Sequence, residues 1–117
     1  MKDAIFNLIR ERQDVTFIEL CREVPGFADP GPDGVIITAP GCENIILWAG
    51  VSRAARDALA ELEAAGRIEQ HASGLWPYAI DGGGLNLDIA KKGKRHYKRP
   101  RWRPVTWHTT RKGRRAA

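Results

Sequence analysis

The sequence predicts an α+β fold in which short amphipathic helices alternate with pairs of β-strands. Apolar residues recur at helical spacing over residues 3–12, 17–24 and 51–62. Short runs of β-branched and aromatic residues lie on either side of turns rich in glycine and proline. With 117 residues, the chain has the length of a single domain that can bury a core without disulfide bridges.

The most regular helical pattern is GVSRAARDALAELEAAGRIEQ, residues 50–70. Ser52 precedes the periodic run, where its hydroxyl can accept from a free N–H of the first turn. Gly66 follows the run, where a left-handed residue closes a helix without a Cβ penalty. One apolar stripe faces a core and is formed by Val51, Ala55, Leu59 and Leu62.

A strand, a turn and a second strand are predicted directly after this helix. RIEQHA is followed by Ser73-Gly74 and then by LWPYAI, residues 75–80, which is typical of a β-hairpin. In this arrangement His71 and Trp76 lie on the hairpin, and Trp76 is expected in the core or as a cross-strand partner rather than stacked on a base.

The words GVSRAA, AL-EL and AAGRIE resemble the recognition helix and first wing strand of bacterial winged helix-turn-helix DNA-binding proteins. The resemblance covers about a third of the chain. It implies that the N-terminal half of the helix enters the major groove, with Arg53 and Arg56 at phosphates or guanine edges, and that these two residues and Ser52 fix the register on the nucleic acid. Residues 52–65 hold two arginines against three acids, however, so a purely structural helix is the alternative.

Two further helices and a second hairpin are predicted nearer the N-terminus. Residues 3–12 form an amphipathic helix with Asp3 as N-cap, and Thr16 caps a helix that ends at Pro25-Gly26. The apolar runs at 35–37 and 45–48 favour an inserted β-hairpin, because isoleucine is β-branched. Later, the alternation in LNLDIA, residues 85–90, is typical of an edge strand.

Charge is distributed very unevenly along the chain. Residues 1–90 hold 7 lysines and arginines against all 14 acids, whereas residues 91–117 hold the other 12 cations and no acid. This asymmetry is typical of a polyanion-binding tail. The sequence therefore predicts a winged-helix domain over residues 1–90, with an inserted β-hairpin, and an extended basic C-terminal arm over residues 91–117. The alternative is a tail that solubilises the protein or lies on its own acidic body.

The arm interleaves cations with aromatic rings, which suits phosphate contacts and stacking on unpaired bases. Its two prolines, Pro100 and Pro104, favour an extended chain. The tryptophans have a second interpretation, in which Trp102 and Trp107 pack back on the body. The candidate nucleic-acid-binding residues of the arm are Lys91, Lys92, Lys94, Arg95, Tyr97, Lys98, Arg99, Arg101, Trp102 and Arg103.

Catalysis and metal binding are disfavoured by the residue pattern. The two cysteines, Cys21 and Cys42, do not make a disulfide framework or a paired zinc motif, and Cys21 fits a small core residue. No nucleophile–base–orienter set appears, so we expect neither an enzyme nor a bound cofactor. No apolar run is long enough for a membrane span and no signal-peptide pattern is present, so a cytoplasmic protein is expected.

Several stretches also resemble short uncharacterised proteins of phage and prophage: FIELCREVPGF, NIILWAGVS, YAIDGGGLNLDIA and YKRPRWRPV. That resemblance implies no activity. Together these patterns predict a nucleic-acid-binding regulator or accessory factor, with duplex DNA as the expected partner and a homodimer as an option. The alternatives are an RNA- or single-strand-binding protein and a protein-interaction module.

Overall fold

The computed structural model describes residues 1–90 and 97–115. These residues form a compact α+β fold, which confirms the predicted fold class. Its helices are α1 (Lys2–Arg12), α2 (Phe17–Glu23), α3 (Arg53–Ala64), α4 (Trp76–Asp81) and α5 (Arg111–Arg115), and its strands are β1 (Val35–Ala39), β2 (Cys42–Val51), β3 (Ile68–Ala72), β4 (Arg101–Trp102) and β5 (Val105–Thr109).

The strands form two small sheets. In the first, β2 pairs antiparallel with β1 and parallel with β4, so β2 is the central strand. The β1–β2 pair is the predicted inserted hairpin, and its tight turn is possible because Gly41 adopts φ 73°. The second sheet is an antiparallel ribbon of β3 and β5, in which Ile68 lies opposite Thr109 and Ala72 opposite Val105.

The sequence located the first three helices correctly. Thr16 caps α2 by accepting from the Glu19 N–H at 3.1 Å, and Ser52 caps α3 by accepting from the Ala55 N–H at 3.1 Å. Gly66 has the expected left-handed conformation at φ 69°. The cap of α1 was wrong: the helix begins at Lys2, so Asp3 lies in the first turn instead of at the N-cap.

The second strand of the predicted wing was also wrong. Residues 76–81 form α4, which has Pro77 in its first turn and Gly82 at φ 90° as a left-handed C-cap. Proline fits a first helical turn because its missing N–H would have no intrahelical partner there, whereas in a ribbon it removes a ladder hydrogen bond. The partner of β3 is instead β5, which comes from the C-terminal part of the chain.

The predicted C-terminal arm is built into the body across residues 101–109. Trp102 and Trp107 belong to the same hydrophobic core as α1, α2 and α3, and Val105 is completely buried. Trp107 is further fixed by reciprocal backbone hydrogen bonds with Val15, of 2.8 and 3.1 Å. Residues 102–107 therefore contribute to the same core as the helices of the first 90 residues.

Residues 85–90 approach β4 without forming the predicted edge strand. Ile89 makes an isolated bridge to Trp102, whose N–H donates to the Asp88 carbonyl at 2.8 Å. Within the part of the chain that the structure describes, no helix has the length and apolar character needed to cross a membrane.

Candidate nucleic-acid interface

The residues predicted at the start of α3 differ in how free their side chains are. The Ser52 hydroxyl donates to the Gly26 carbonyl at 2.7 Å while it caps the helix, so its hydrogen-bonding capacity is used within the fold. Arg56 is half-buried and its guanidinium lies 3.1 Å from the Asp57 carboxylate. Arg53 is exposed and takes part in no salt bridge among the described residues.

The inserted hairpin stands beside the outer face of α3. A cleft of about 390 Å³ separates them, lined by Ile36 and Thr38 on β1 and by Arg56, Ala60 and Glu63 on the helix. Major-groove docking of a recognition helix needs this kind of face to be clear of neighbouring elements. The first turn, with Arg53, is therefore the part of α3 best placed to reach a polyanion.

The cations of residues 97–115, which we call the C-terminal segment, surround the strands that enter the core. None of the lysines and arginines of this segment whose side chains are described takes part in a salt bridge with a described carboxylate. The cations with described side chains are Lys98, Arg99, Arg101, Arg103, Arg111, Lys112 and Arg114. Their charge is therefore left without a carboxylate partner within the described part of the chain.

Local structure fixes the positions of several of these cations. Arg101 lies over the Tyr97 ring, 5.0 Å from its centroid, and shares with Arg99 a recess of about 450 Å³ that Asp88 also lines. In α5, the Thr110 hydroxyl accepts from the Gly113 N–H at 2.9 Å, which secures the first turn. This turn presents Arg111 and Lys112 to solvent.

The tryptophans predicted as stacking residues lie in the core. Trp102 and Trp107 are 2% and 1% exposed, and Trp102 Nε1 donates to the Leu47 carbonyl at 3.2 Å. Both indoles are thus unavailable to a base, and the second interpretation of the tryptophans is the correct one. Four predicted contact residues lie outside the described residues: Lys91, Lys92, Lys94 and Arg95.

The sequence predicted Trp76 in the core or as a cross-strand partner of the hairpin, but it lies on a helix and 74% of it is exposed. It lies on α4 beside Leu75 and Ile80, which are 53% and 67% exposed. The signal that could have found this surface is Pro77, which favours a helix start. In a helix, Trp76 and Ile80 share one face at i, i+4 spacing while Tyr78 points away from it.

The β3–β5 ribbon also places two histidines together, which sequence spacing did not predict. The rings of His71 and His108 stack with centroids 4.2 Å apart. Nε2 of His71 lies 3.1 Å from the Glu69 carboxylate, and Nε2 of His108 lies 3.0 Å from that of Asp14. Among the described residues, however, no group of three or more potential ligands is arranged to hold a metal ion.

The two cysteines are free thiols, and both are half-buried. Burial raises the pKa of the Cys21 thiol, which reduces the fraction present as the reactive thiolate. Cys21 packs against the main core, as the sequence predicted.

No family model matches the chain, and neither the curated proteins nor the solved structures contain a significant match.

Proposed function

We propose that the protein binds nucleic acid, with DNA as the expected partner, through the cations of its C-terminal segment. The proposal rests on one observation: this part of the chain holds many cations, and those that are described have no described carboxylate as a partner. Residues 91–117 contain 12 lysines and arginines and no acid, and those with described side chains form no salt bridge with a described carboxylate. A dense set of cations without carboxylate partners attracts a polyanion and releases its counterions on binding.

The burial of the tryptophans makes this proposal more specific. Because β4 and β5 are packed into the core, Arg101 and Arg103 are held on a folded surface rather than on a flexible tail. Cations fixed in this way lose less conformational entropy when they meet phosphates. Phosphate contacts position a protein without reading sequence, so low sequence specificity is expected.

The winged-helix interpretation is part of the same proposal, in a modified form. The first turn of α3 contributes Arg53, and the β3–β5 ribbon takes the place of the predicted wing. Since the hairpin stands beside α3 and Arg56 is paired with Asp57, we assign α3 a secondary role in fixing the orientation of the bound strand.

Binding should be measured by electrophoretic shift and by fluorescence anisotropy at several salt concentrations, with duplex DNA, single-stranded DNA and RNA. The test variant is Arg99→Gln/Arg101→Gln/Arg103→Gln. The matched control is Lys2→Gln/Arg12→Gln/Arg22→Gln, which removes the same charge from side chains that already pair with carboxylates.

We expect the test variant to bind at least about tenfold more weakly than the wild type. The slope of log affinity against log salt should become shallower by about 0.9 for each lost duplex phosphate contact. The control should stay close to the wild type. Equal losses of affinity in both variants would show that net charge alone determines binding. That result would overturn the assignment of binding to the surface around Arg99, Arg101 and Arg103. Absence of binding by the wild type would overturn the function itself.

A further inference from the structure

The side chain of Arg67 is the feature that the proposed function leaves unexplained. Arg67 is half-buried in the turn between α3 and β3, and its guanidinium carbon lies 3.9 Å from the centroid of the Phe6 ring. It takes part in no salt bridge with a described carboxylate, and its Nε is buried without a hydrogen-bond partner among the described residues. Because burying a cation without an anion costs free energy, the described fold holds this charge in place without neutralising it.

The terminal nitrogens of this guanidinium are available to a ligand. None of the three guanidinium nitrogens has a hydrogen-bond partner among the described residues, and only Nε is buried, so the other two reach solvent. The contact with the ring holds the group in position through cation–π attraction. A guanidinium presents its N–H donors in a fixed fork that matches phosphate oxygens, and a group already held in place loses less entropy on binding.

Two further cations lie at the same position. The guanidinium carbon of Arg10 is 5.8 Å from the centroid of the same Phe6 ring, so it can be no farther from that of Arg67 than these two distances together. The side chain of Lys112 crosses the turn next to Arg67, where its Cδ lies 3.8 Å from the position that a Cβ would take on Gly66. Neither Arg10 nor Lys112 forms a salt bridge with a described carboxylate. We call Arg10, Arg67 and Lys112 the Phe6 cluster.

Backbone contacts fix α5 against the turn that holds Arg67. The Thr110 N–H donates to the Arg67 carbonyl at 3.0 Å, and the Thr110 hydroxyl donates to the Gly66 carbonyl. A Cβ on Gly113 would collide with the same Arg67 carbonyl, so glycine permits this close approach. The fold therefore gathers cations from α1, from the turn after α3 and from the C-terminal segment.

We propose that the Phe6 cluster binds a phosphate group of the nucleic-acid backbone, with the terminal nitrogens of Arg67 as its main donors. Charge selects this ligand, since neighbouring cations repel one another and a phosphate between them reverses the sign of the interaction. This inference rests on the proposed function and extends its binding surface from the C-terminal segment onto the first 90 residues. Inorganic phosphate offers the same chemistry, and the experiment distinguishes the two sources.

The test measures duplex DNA binding by fluorescence anisotropy at several salt concentrations for full-length Arg67→Met, Arg67→Lys and Arg10→Gln. Methionine keeps an unbranched side chain over the ring without the charge, whereas lysine keeps the charge without the planar fork. The matched control is Arg12→Gln, which removes a cation from the same last turn of α1, but one that already pairs with carboxylates of α2. Urea denaturation verifies that each variant is folded. Inorganic phosphate is titrated separately, with the Nε–H NMR signal of Arg67 as the readout.

We expect Arg67→Met to weaken duplex binding by about tenfold, because it removes a charge-assisted contact. The slope of log affinity against log salt should become shallower by about 0.9, the value for one lost phosphate contact. Arg67→Lys should lose less affinity than Arg67→Met, Arg10→Gln should show a smaller loss again, and Arg12→Gln should stay close to the wild type. The Nε–H signal of Arg67 should shift in the duplex complex, and inorganic phosphate should bind far more weakly than the duplex.

Three results would overturn this site while leaving the proposed function intact. One is an Arg67→Met protein with reduced stability but wild-type duplex affinity, which would limit Arg67 to packing on the ring. Another is an equal loss of affinity in Arg10→Gln and Arg12→Gln, which would reflect net charge alone. The third is tight, Arg67-dependent binding of inorganic phosphate with no effect of Arg67→Met on the duplex, which would assign the cluster to a free anion. Failure of the wild type to bind the duplex would instead remove the proposed function, and this inference with it.

Discussion

The cations of the first 90 residues and those of the C-terminal segment differ in what surrounds them. Four of the seven in the first region form salt bridges with carboxylates: Lys2, Arg12, Arg22 and Arg56. Arg10 and Arg67 lie over the Phe6 ring, 5.8 and 3.9 Å from its centroid. The described cations of the C-terminal segment make no comparable ion pair with described carboxylates.

The C-terminal segment thus combines two kinds of residue with different surroundings. Its apolar residues complete the core, since Trp102, Val105 and Trp107 are buried. Its cations stay at the surface, where salt screens their mutual repulsion only partly. A segment that served stability alone would gain stability from carboxylate partners, so its unbalanced charge supports the proposal of a polyanion partner.

The strongest test of this comparison is removal of the segment. A chain that ends at residue 96 loses β4 and β5, leaving β3 without its partner and the core without two buried indoles. We expect it to be largely unfolded by circular dichroism and amide hydrogen exchange. A chain that ends at Thr110 keeps both strands and should remain folded. A stable native fold after the larger truncation would show that the segment is a dispensable arm.

Substitutions of two tryptophans test the comparison at single residues, one in the core part of the C-terminal segment and one on the surface of the first 90 residues. Trp107→Ala should lower the free energy of unfolding by about 3–5 kcal/mol, because it leaves a cavity among Phe17 and its neighbours. Since Trp107 Nε1 has no hydrogen-bond partner within the described residues, this loss reflects packing. Trp76→Ala should change the same quantity by no more than about 0.5 kcal/mol. Urea denaturation measures both, and comparable losses would contradict the assignment of Trp76 to the surface.

The hydroxyl of Tyr78 links the first 90 residues to the C-terminal segment. Its removal should lower the free energy of unfolding less than Trp107→Ala does. It donates to the Val105 carbonyl at 2.7 Å and accepts from the Phe17 N–H at 3.3 Å. Burial raises the pKa of this phenol well above its usual range, so it remains protonated and able to donate. Tyr78→Phe should cost about 1 kcal/mol of unfolding free energy in urea titrations. An unchanged stability would show that this bond contributes nothing to the docking of the segment.

The first three helices and the inserted hairpin were predictable because their signals are local. Thr16, Ser52 and Gly66 mark helix ends through the bonds of the adjacent turn, and the apolar stripe of α3 is regular. The error at residues 75–80 has a physical cause: a short apolar run fits a strand or a helix equally well. The outcome depends on which segment pairs with β3, and that partner lies more than 30 residues away.

The candidate site was predictable in its charge but not in its aromatic residues. A run of cations without acids remains at the surface in almost any fold, because burying an unpaired charge is costly. The position of an indole is not fixed in this way, since tryptophan serves both cores and binding surfaces. Trp102 and Trp107 were therefore available for the core, while the helical conformation of α4 turned Trp76 outward.

The smallest predicted effect compares one cation from each region. A hydrogen bond to Glu19 raises the pKa of the Arg12 guanidinium, which lies within 3.2–3.5 Å of the Glu19 and Glu23 carboxylates. Arg12→Gln should therefore lower the urea midpoint slightly, and this change should shrink as salt screens the pair. Arg101→Gln should leave the midpoint unchanged or raise it at low salt, because Arg99 and Arg103 are near it in the chain. A salt-sensitive loss of stability in Arg101→Gln equal to that in Arg12→Gln would reveal a carboxylate partner and remove the distinction between the two sets of cations.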